Sequence, residues 1–223
     1  MPGKLQKFEE VNSFNNCFYL SYFEKEKGLK LRGNWNDSFF LNKNPIVLEL
    51  GCGRGEYTIG LAAKNINKNF IGVDIKGARI WSGAKTATIN EMKNVAFIRT
   101  RIDFIEQCFS EDEISEIWIT FPDPQPQTAR ERKRLTNHMF LSRYMKFLKN
   151  GGYVHLKTDN TGLYDFSLES MRSFGLNEIF STDNLYENVP KGREELTEIK
   201  TYYEKLFTEK GERIKYCQFQ KLL

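Results

Sequence analysis

Cysteine and histidine are scarce in this chain, and long apolar runs are absent. Its 223 residues include four cysteines, which form no CxxC pair, and two histidines. A disulfide scaffold and a zinc site are therefore not expected, and we predict no metal. No apolar run approaches the roughly 20 residues that cross a membrane. The N-terminal MPGKLQKFEE lacks the apolar core of a secretory signal, so we expect a cytoplasmic protein with reduced thiols.

The size and charge of the chain limit the number of domains and the kind of partner only loosely. With 40% hydrophobic residues it can bury one sizeable core, and we expect a single domain over residues 1–223. Residues 1–42 are polar and aromatic and are interpreted as an N-terminal extension. They precede a core at 43–223, in which 182–200 form a long charged connection. The net charge of +4 permits a nucleic-acid partner without requiring one.

Short apolar runs alternate with helical patterns through most of the core. The predicted strands are 46–50, 70–75, 96–100, 116–121, 153–158 and 213–219. The predicted helices are 56–64, 78–92 and 135–149, the last of which should end at Asn150-Gly151-Gly152. This alternation predicts an α/β, Rossmann-like fold with a mostly parallel sheet and helices on both faces.

The stretch LELGCGRG, residues 48–55, joins the first predicted strand to the first predicted helix. In an open parallel sheet, ligands bind beyond the carboxyl ends of the strands, where strand order reverses. Gly51 and Gly53 are therefore candidate cofactor contacts. Dinucleotide folds use GxGxxG, but the third glycine position is Glu56 here, and the pattern is instead E-x-G-x-G-x-G. A dehydrogenase is a distant alternative.

Two acidic residues narrow the choice of ligand. Asp74 ends the next predicted strand, where a carboxylate can accept both hydroxyls of a ribose. Glu49 adds a carboxylate that would repel a pyrophosphate but suits a cationic ligand. S-adenosylmethionine carries a sulfonium and an amino group and no phosphate, so the electrostatics favour it over NAD. The alternative is a tight turn beside an ordinary acid at the end of a strand.

The segment FPDPQPQTARERKR, residues 121–134, combines a stiff path with positive charge. Its alternating prolines disfavour helix and hold Asp123 at the carboxyl end of a strand. Four cations follow just before, or in, the first turn of the predicted 135–149 helix: Arg130, Arg132, Lys133 and Arg134. Cations there oppose the helix dipole, which favours an anionic partner such as nucleic-acid phosphate over a role in solubility. A solvated charged loop is the alternative.

These segments together resemble the bacterial tRNA guanine-N7 methyltransferases. The matching segments are KLQKFEE, LELGCGRGEY, FIGVDIKGAR, ITFPDPQPQTARERKRLT, GGYVHLKTDNTGLYDFSLESM and TYYEKLFTEKGERIKY, in the family's order. The FPDP-plus-basic and KTDN segments are specific to this family. The resemblance implies a class I S-adenosylmethionine-dependent methyltransferase fold, with tRNA as the partner. It further implies methyl transfer to N7 of the variable-loop guanine (tRNA position 46), S-adenosylhomocysteine as product, no metal, and a monomer or homodimer with no obligate protein partner.

The chemistry of this reaction identifies a candidate catalytic residue. Guanine N7 has an in-plane lone pair and no proton, so positioning toward the methyl group does most of the work. Attack creates positive charge on the purine, which a nearby carboxylate would stabilise while accepting hydrogen bonds from guanine N1–H and the 2-amino group. Asp123 is our candidate, and the resemblance agrees by placing this aspartate between cofactor and substrate.

The resemblance also implies roles for other residues. It supports Glu49 and Asp74 as cofactor contacts and assigns substrate binding to Asp159, Thr201 and Glu204. A helix cap and a surface acid are the alternative for the last two residues, because capping explains the pair without a ligand.

The chain departs from the family pattern near the adenine. Many members carry an acid at the end of the third strand, where this chain has Arg101-Ile102-Asp103. Either the backbone at Arg101 and Ile102 makes this cofactor contact, or Asp103 makes it through a local shift.

A second departure lies in the substrate loop. Gln127 stands where the family has a lysine expected to touch tRNA, and Gln125 and Thr128 replace a tryptophan and a lysine. We expect weaker local electrostatics there, compensated by the remaining cations of the loop, Arg130, Arg132 and Lys133.

Two other functions keep part of the pattern. A methyltransferase acting on a small molecule or a protein would keep the cofactor site but leave the basic cluster without a role. A non-catalytic RNA-binding module would need a blocked cofactor site, and no blocking insertion lies near residues 51–55.

Overall fold

The computed structural model describes residues 3–222, within which the chain forms seven α-helices and eight β-strands. The helices are α1 (Lys4–Glu10), α2 (Glu56–Lys64), α3 (Gly77–Ile89), α4 (His138–Tyr144), α5 (Thr161–Ser173), α6 (Glu195–Glu198) and α7 (Tyr202–Glu209). The strands are β1 (Cys17–Tyr19), β2 (Ile46–Leu50), β3 (Asn69–Asp74), β4 (Val95–Arg99), β5 (Ile114–Thr120), β6 (Leu148–Thr158), β7 (Asn177–Thr182) and β8 (Lys215–Gln220). Residues 1, 2 and 223 of the predicted domain lie outside the described range.

All eight strands belong to one sheet, in the order β1-β4-β3-β2-β5-β6-β8-β7. The first six pair in parallel, whereas β8 is antiparallel to both β6 and β7. The predicted mostly parallel sheet is therefore confirmed. Strand order reverses at β2, which pairs with both β3 and β5. The loops that leave β2 and β5 consequently meet at the edge where open α/β sheets bind ligands.

Helices cover both faces of the sheet, as predicted. Alternate residues of β2 enter two separate cores, with Leu48 and Leu50 in one and Val47 in the other. Buried side chains of α4 and α5 pack in the first core, and those of α2 and α3 pack in the second.

The central strands lie where the apolar runs predict them. β2 has its predicted bounds, and β3, β4 and β5 begin one or two residues before theirs. By contrast, α5 and β7 have no counterpart in the prediction. The face that α5 buries includes Ser167 and Ser170, which weakens its apolar periodicity, and β7 is exposed or half-buried at the sheet edge until its last residue, Thr182.

The predicted helix 135–149 is wrong at both ends. The observed α4 is shorter, because Asn137 caps its first turn by accepting a hydrogen bond from the Met139 amide. At the other end Leu148 already begins β6. Asn150-Gly151-Gly152 therefore lies inside a strand and does not terminate a helix. A Cβ on Gly152 would lie 2.9 Å from the Ser115 carbonyl oxygen, at the irregular β5–β6 register, so these glycines serve a bulge.

The N-terminal extension and the charged connection both pack against the core. α1 contacts α3, and β1 adds a parallel strand beside β4 at the edge of the sheet. Within 182–200, three apolar residues are buried in the second core: Leu185, Leu196 and Ile199. Because the segment is mostly charged, its composition alone does not indicate these buried residues.

The described residues contain no helix that combines the length and the apolar character needed to cross a membrane. They also contain no group of three or more His, Cys, Asp or Glu side chains arranged to hold a metal ion. All four cysteines are free thiols, and burial raises the pKa of Cys108 to about 12.

Candidate active site

The glycine loop after β2 forms an open cradle. Gly51 and Gly53 have φ angles of 74° and 57°, a region that favours glycine, and a Cβ on either would meet no atom within 4 Å. The loop is tied to the neighbouring strand, because the Gly51 and Cys52 amides both donate to the Val73 carbonyl at 2.8 and 2.9 Å. The two glycines thus leave room for a ligand against the backbone.

Gly55 has a different task from the other two glycines. Its φ is 74°, and an added Cβ would lie 2.7 Å from the ring of Phe97 on β4. Gly55 therefore permits the close packing that the third glycine of a dinucleotide fingerprint provides, one position earlier. Glu56, which occupies that fingerprint position, is exposed and accepts a hydrogen bond from the Tyr202 amide at 2.8 Å.

Asp74 holds the loop in place from the end of β3. Its Oδ2 accepts a hydrogen bond from the Gly53 amide at 3.0 Å, and its Oδ1 accepts one from the Lys76 amide at 2.8 Å. The side chain is largely buried, yet it borders both of the cavities described below. A carboxylate so placed fits the predicted ribose contact.

Glu49 lies beneath the loop and borders neither cavity. Its Oε2 accepts hydrogen bonds from the Thr58 amide and hydroxyl, and its Oε1 accepts one from the Thr120 hydroxyl. Burial raises the pKa of Glu49 to about 7, against the opposing effect of the hydrogen bonds from Thr120 and Thr58. Glu49 therefore ties β2 to α2 and β5, and its charge varies near neutral pH.

The first cavity, of about 620 Å³, extends from the loop past the end of β4. Its apolar wall consists of Ile75, Ile102, Leu135, Met139 and Phe140. Both sequence candidates for the adenine-side contact border it, because Arg101 and Asp103 form an ion pair of 3.1 Å at its edge. An apolar slot with a carboxylate at one end suits a nucleoside.

The second cavity, of about 390 Å³, adjoins the first through the shared residues Gly51 and Asp74. It extends from the glycine loop to Asp123 and to the start of α7, where Thr201 borders it. Asp123 is exposed, and its Oδ1 accepts a hydrogen bond from the Gln125 amide at 3.0 Å.

The loop that carries Asp123 is held in an unusual conformation. Phe121 and Gln125, which flank it, have φ angles of 46° and 45°, which non-glycine residues adopt at a cost of about 1–3 kcal/mol each. Arg134 compensates for this strain by donating to the Pro124 carbonyl at 3.1 Å and the Gln125 carbonyl at 3.3 Å. Arg134 is buried, so counting it with the exposed cations of the loop was wrong.

The remaining cations of this loop are exposed, but the prediction that they lie at the start of a helix and oppose its dipole is wrong. Arg130, Arg132 and Lys133 lie in a 3₁₀ segment, Thr128–Lys133, that ends before α4 begins. They therefore do not oppose the α4 dipole. Arg132 and Lys133 border the first cavity and Lys133 also borders the second, whereas Arg130 borders neither. Gln127 is exposed at the start of the 3₁₀ segment and likewise borders neither cavity.

The three C-terminal candidates have different surroundings. Thr201 caps α7, because its hydroxyl accepts a hydrogen bond from the Glu204 amide at 3.1 Å. Glu204 is completely buried and pairs with Lys157 at 2.7 Å, so it is not a surface acid. Asp159 is half-buried beyond the end of β6 and borders neither cavity, and burial raises its pKa.

Comparison with known proteins identifies the family. Residues 43–217 match the family model described as "Putative methyltransferase". A tRNA (guanine-N(7)-)-methyltransferase from Christiangramia forsetii is 47% identical over 219 residues, which are 98% of this chain and 97% of the relative. The chain belongs to the tRNA (guanine-N7)-methyltransferase family.

Solved structures of low identity share the fold of this tRNA (guanine-N7)-methyltransferase family member. An antibiotic-related methyltransferase has a TM-score of 0.63 at 15% identity, over 90% of this chain and 98% of that one. A geranyl diphosphate C-methyltransferase from Streptomyces coelicolor A3(2), crystallised with S-adenosyl-L-homocysteine, has a TM-score of 0.52 at 16% identity, over 80% and 70%. The class I, Rossmann-like methyltransferase fold expected from the sequence is confirmed.

In this tRNA (guanine-N7)-methyltransferase family member, the cavities bring together only part of the predicted site. Gly51, Gly53, Asp74 and Asp123 border a continuous space, whereas Glu49 lies beneath it. Sequence reasoning missed several further residues that border the second cavity, among them Arg54, Lys76, Arg79, Tyr202 and Tyr203. The two tyrosines are part of the quoted TYYEKLF segment, but nothing in that segment alone indicates that they face the glycine loop.

Proposed function

We propose that this chain transfers a methyl group from S-adenosylmethionine to N7 of the variable-loop guanine (tRNA position 46) in tRNA. The observation that carries the proposal is the pair of adjoining cavities at the reversal of strand order. They share Gly51 and Asp74, and the second leads to Asp123. A methyl donor that spans both cavities would present its reactive carbon near this aspartate, beside the space open to a substrate base.

The residues that line the two cavities fit S-adenosylmethionine. The apolar first cavity would hold the adenine, with Arg101, Ile102 or Asp103 at its rim and Asp74 at the ribose. The open cradle at Gly51 and Gly53 would accept the methionine portion. When bound, the cofactor supplies a methyl group activated by a sulfonium. A pyrophosphate would lie close to Asp74 and above Glu49, which disfavours dinucleotides.

Asp123 is the proposed catalytic residue, with a second role in contacting the cofactor. Because N7 needs no deprotonation, the enzyme's task is to hold guanine in line with the methyl group and to stabilise the positive charge that develops on the purine. The hydrogen bond from the Gln125 amide uses Oδ1 of Asp123. Its second oxygen can accept from guanine N1–H or the 2-amino group.

The tRNA would lie over the second cavity. We propose contacts from Gln127, Arg130, Arg132 and Lys133 on one side, and from Thr201 and Asp159 nearby. Complete burial of Glu204 favours an indirect role for this residue, through the position of α7.

We also propose that the chain forms one domain, which is supported by a single sheet with strands between residues 17 and 220. We propose that it acts as a monomer or homodimer in the compartment that holds tRNA.

A labelling experiment tests the function. The protein is incubated with radiolabelled S-adenosylmethionine and unmodified tRNA, and the labelled nucleoside is identified after digestion. We expect N7-methylguanosine, and no label in the same tRNA with adenine in place of the variable-loop guanine. Absence of N7-methylguanosine from every tRNA that carries this guanine would contradict the proposal. Label in a protein or small molecule instead would favour the alternative methyltransferase.

A further inference from the structure

A cleft between α1 and α3 is lined by positive charges that have no part in the proposed cofactor binding or catalysis. The cleft has a volume of about 740 Å³. Its charged lining residues are all cations: Lys4, Lys7, Arg54, Lys76 and Arg79. Within residues 3–222, none of these five takes part in an ion pair. We call this feature the basic cleft.

The walls of the basic cleft are held in place by contacts between α1 and the core. The Trp81 indole on α3 donates to the Glu10 carboxylate at 2.7 Å, and the Arg99 guanidinium lies 4.0 Å from the ring centroid of Phe8. The Lys7 ammonium lies 4.7 Å from the ring centroid of Trp81. These contacts keep the lysines of α1 close to the cations of α3, so their mutual repulsion is built into the folded chain.

The basic cleft is continuous with the second cavity. Arg54, Lys76 and Arg79 border both spaces. Lys133 borders the second cavity from the opposite loop. Cations therefore stand on two sides of the cavity that contains Asp123, and the path between them passes over the candidate site of methyl transfer.

S-adenosylmethionine does not account for this charge, because it carries one carboxylate and no phosphate. A cluster of cations without carboxylate partners is stabilised by a polyanion, and phosphodiesters spaced along a strand match such a cluster. We infer that the basic cleft binds the phosphate backbone of the tRNA on the side of the reacting guanine opposite the Arg130–Lys133 loop. The inference rests on the proposed function and adds a second RNA contact surface to it.

The salt dependence of tRNA binding tests this inference. The test variant is Lys4→Gln/Lys7→Gln, which removes two charges on α1 and leaves the glycine loop, Asp74 and Asp123 untouched. The matched control is Lys93→Gln/Lys149→Gln. Both control lysines are exposed at the amino ends of parallel strands, on the edge of the sheet opposite the cavities. Dissociation constants for tRNA are measured from about 50 to 200 mM salt, together with the affinity for S-adenosylhomocysteine.

We expect the test variant to reduce the slope of log affinity against log salt by about 2, one for each lost phosphate contact, with cofactor affinity unchanged. The control variant should keep the wild-type slope. An unchanged slope in the test variant, or an equal reduction in the control, would overturn the inference. The wild type is first assayed for N7-methylguanosine, so a failure of the proposed function is seen separately from a failure of the cleft.

Discussion

Lys157 and Glu204 form an ion pair of 2.7 Å in which neither side chain is exposed. Burial lowers the pKa of Lys157, and the Glu204 carboxylate opposes that effect. The Lys157 ammonium also donates to the carbonyls of Leu196 and Ile199, and the Tyr186 hydroxyl donates to Glu204. One buried pair thus joins β6, α7, α6 and the residue that follows α6, Ile199.

Glu204→Gln should destabilise the fold. The variant removes the negative charge and leaves the Lys157 ammonium buried, for which losses of about 3–5 kcal/mol in unfolding free energy are typical. Urea unfolding monitored by tryptophan fluorescence measures this loss. The double variant Lys157→Met/Glu204→Leu removes both charges and should recover most of it. A Glu204→Gln protein of wild-type stability with a raised KM for tRNA would instead restore the direct substrate role.

Arg134→Gln should lower turnover by about 10²-fold, because the loop that carries Asp123 loses the guanidinium that bridges Pro124 and Gln125. Affinity for S-adenosylhomocysteine should change little, since Arg134 borders neither cavity. Steady-state kinetics and calorimetry separate the two effects. Arg134→Lys keeps the charge but cannot span both carbonyls, so it should be impaired as well. Full activity in Arg134→Lys would show that the bridge is unnecessary.

The sequence predicted which strand-end residues lie together at the cavities better than it predicted the surroundings of Arg134 and Glu204, for a physical reason. The glycine loop, Asp74 and Asp123 all lie at strand ends, and the topology of a parallel sheet brings strand ends together. Continuous apolar runs located β2, β3 and β5, because both faces of these strands are buried.

The features that the sequence did not predict depend on tertiary contacts, which cannot be deduced from the local sequence pattern. Arg134 belongs to the same basic run as Arg132, yet the Arg134 side chain folds back and donates to the loop carbonyls of Pro124 and Gln125. Glu204 looked like a surface acid, because its partner Lys157 is distant in the chain. The helix predicted over 135–149 failed because Phe147 and Leu148 continue its apolar period while packing as part of a turn and a strand.

Asp123→Asn tests the proposed catalytic role. Asparagine keeps the size of the side chain and removes the charge that would stabilise the methylated purine, so single-turnover methyl transfer should slow by about 10²-fold. Cofactor affinity should stay within about threefold of wild type, because Asp123 is exposed and borders the second cavity but not the apolar first cavity, so its contact with the cofactor is a minor part of cofactor binding. The matched control is Asp165→Asn, the same charge change on the exposed side of α5. Loss of cofactor binding in Asp123→Asn would show that its role is misassigned.

Glu49 should make stability depend on pH. Its pKa rises from 4.5 to about 7 on folding, so the folded state binds more protons than the unfolded state between these values. The contribution of Glu49 to stability is therefore greatest below the lower value and is lost as pH rises through about 7, by about 3 kcal/mol in total. Chemical unfolding across this range measures the slope. Glu49→Gln should lose that part of the slope, and equal slopes in the two proteins would refute the assignment.

Ionisation of Glu49 should also change the affinity for the cofactor. S-adenosylmethionine carries a sulfonium charge that S-adenosylhomocysteine lacks, and ionised Glu49 lies beneath the cradle. The affinity ratio of the two compounds should therefore shift toward S-adenosylmethionine between about pH 6 and pH 8. A ratio independent of pH would restrict Glu49 to tying β2 to α2 and β5.

Arg132 and Lys133 differ from the other loop cations in bordering the first cavity, so their removal should have two effects. Arg132→Gln/Lys133→Gln should lower the slope of log tRNA affinity against log salt by about 2, as the loss of two phosphate contacts requires. If these two side chains also contact the adenine, bound cofactor should make this decrease in slope smaller. Titrations with and without S-adenosylhomocysteine distinguish the cases, with Lys93→Gln/Lys149→Gln again as the charge-matched control. An unchanged salt slope under both conditions would make the segment a solvated loop, and the RNA-binding charge would then have to lie on the α1–α3 side of Asp123.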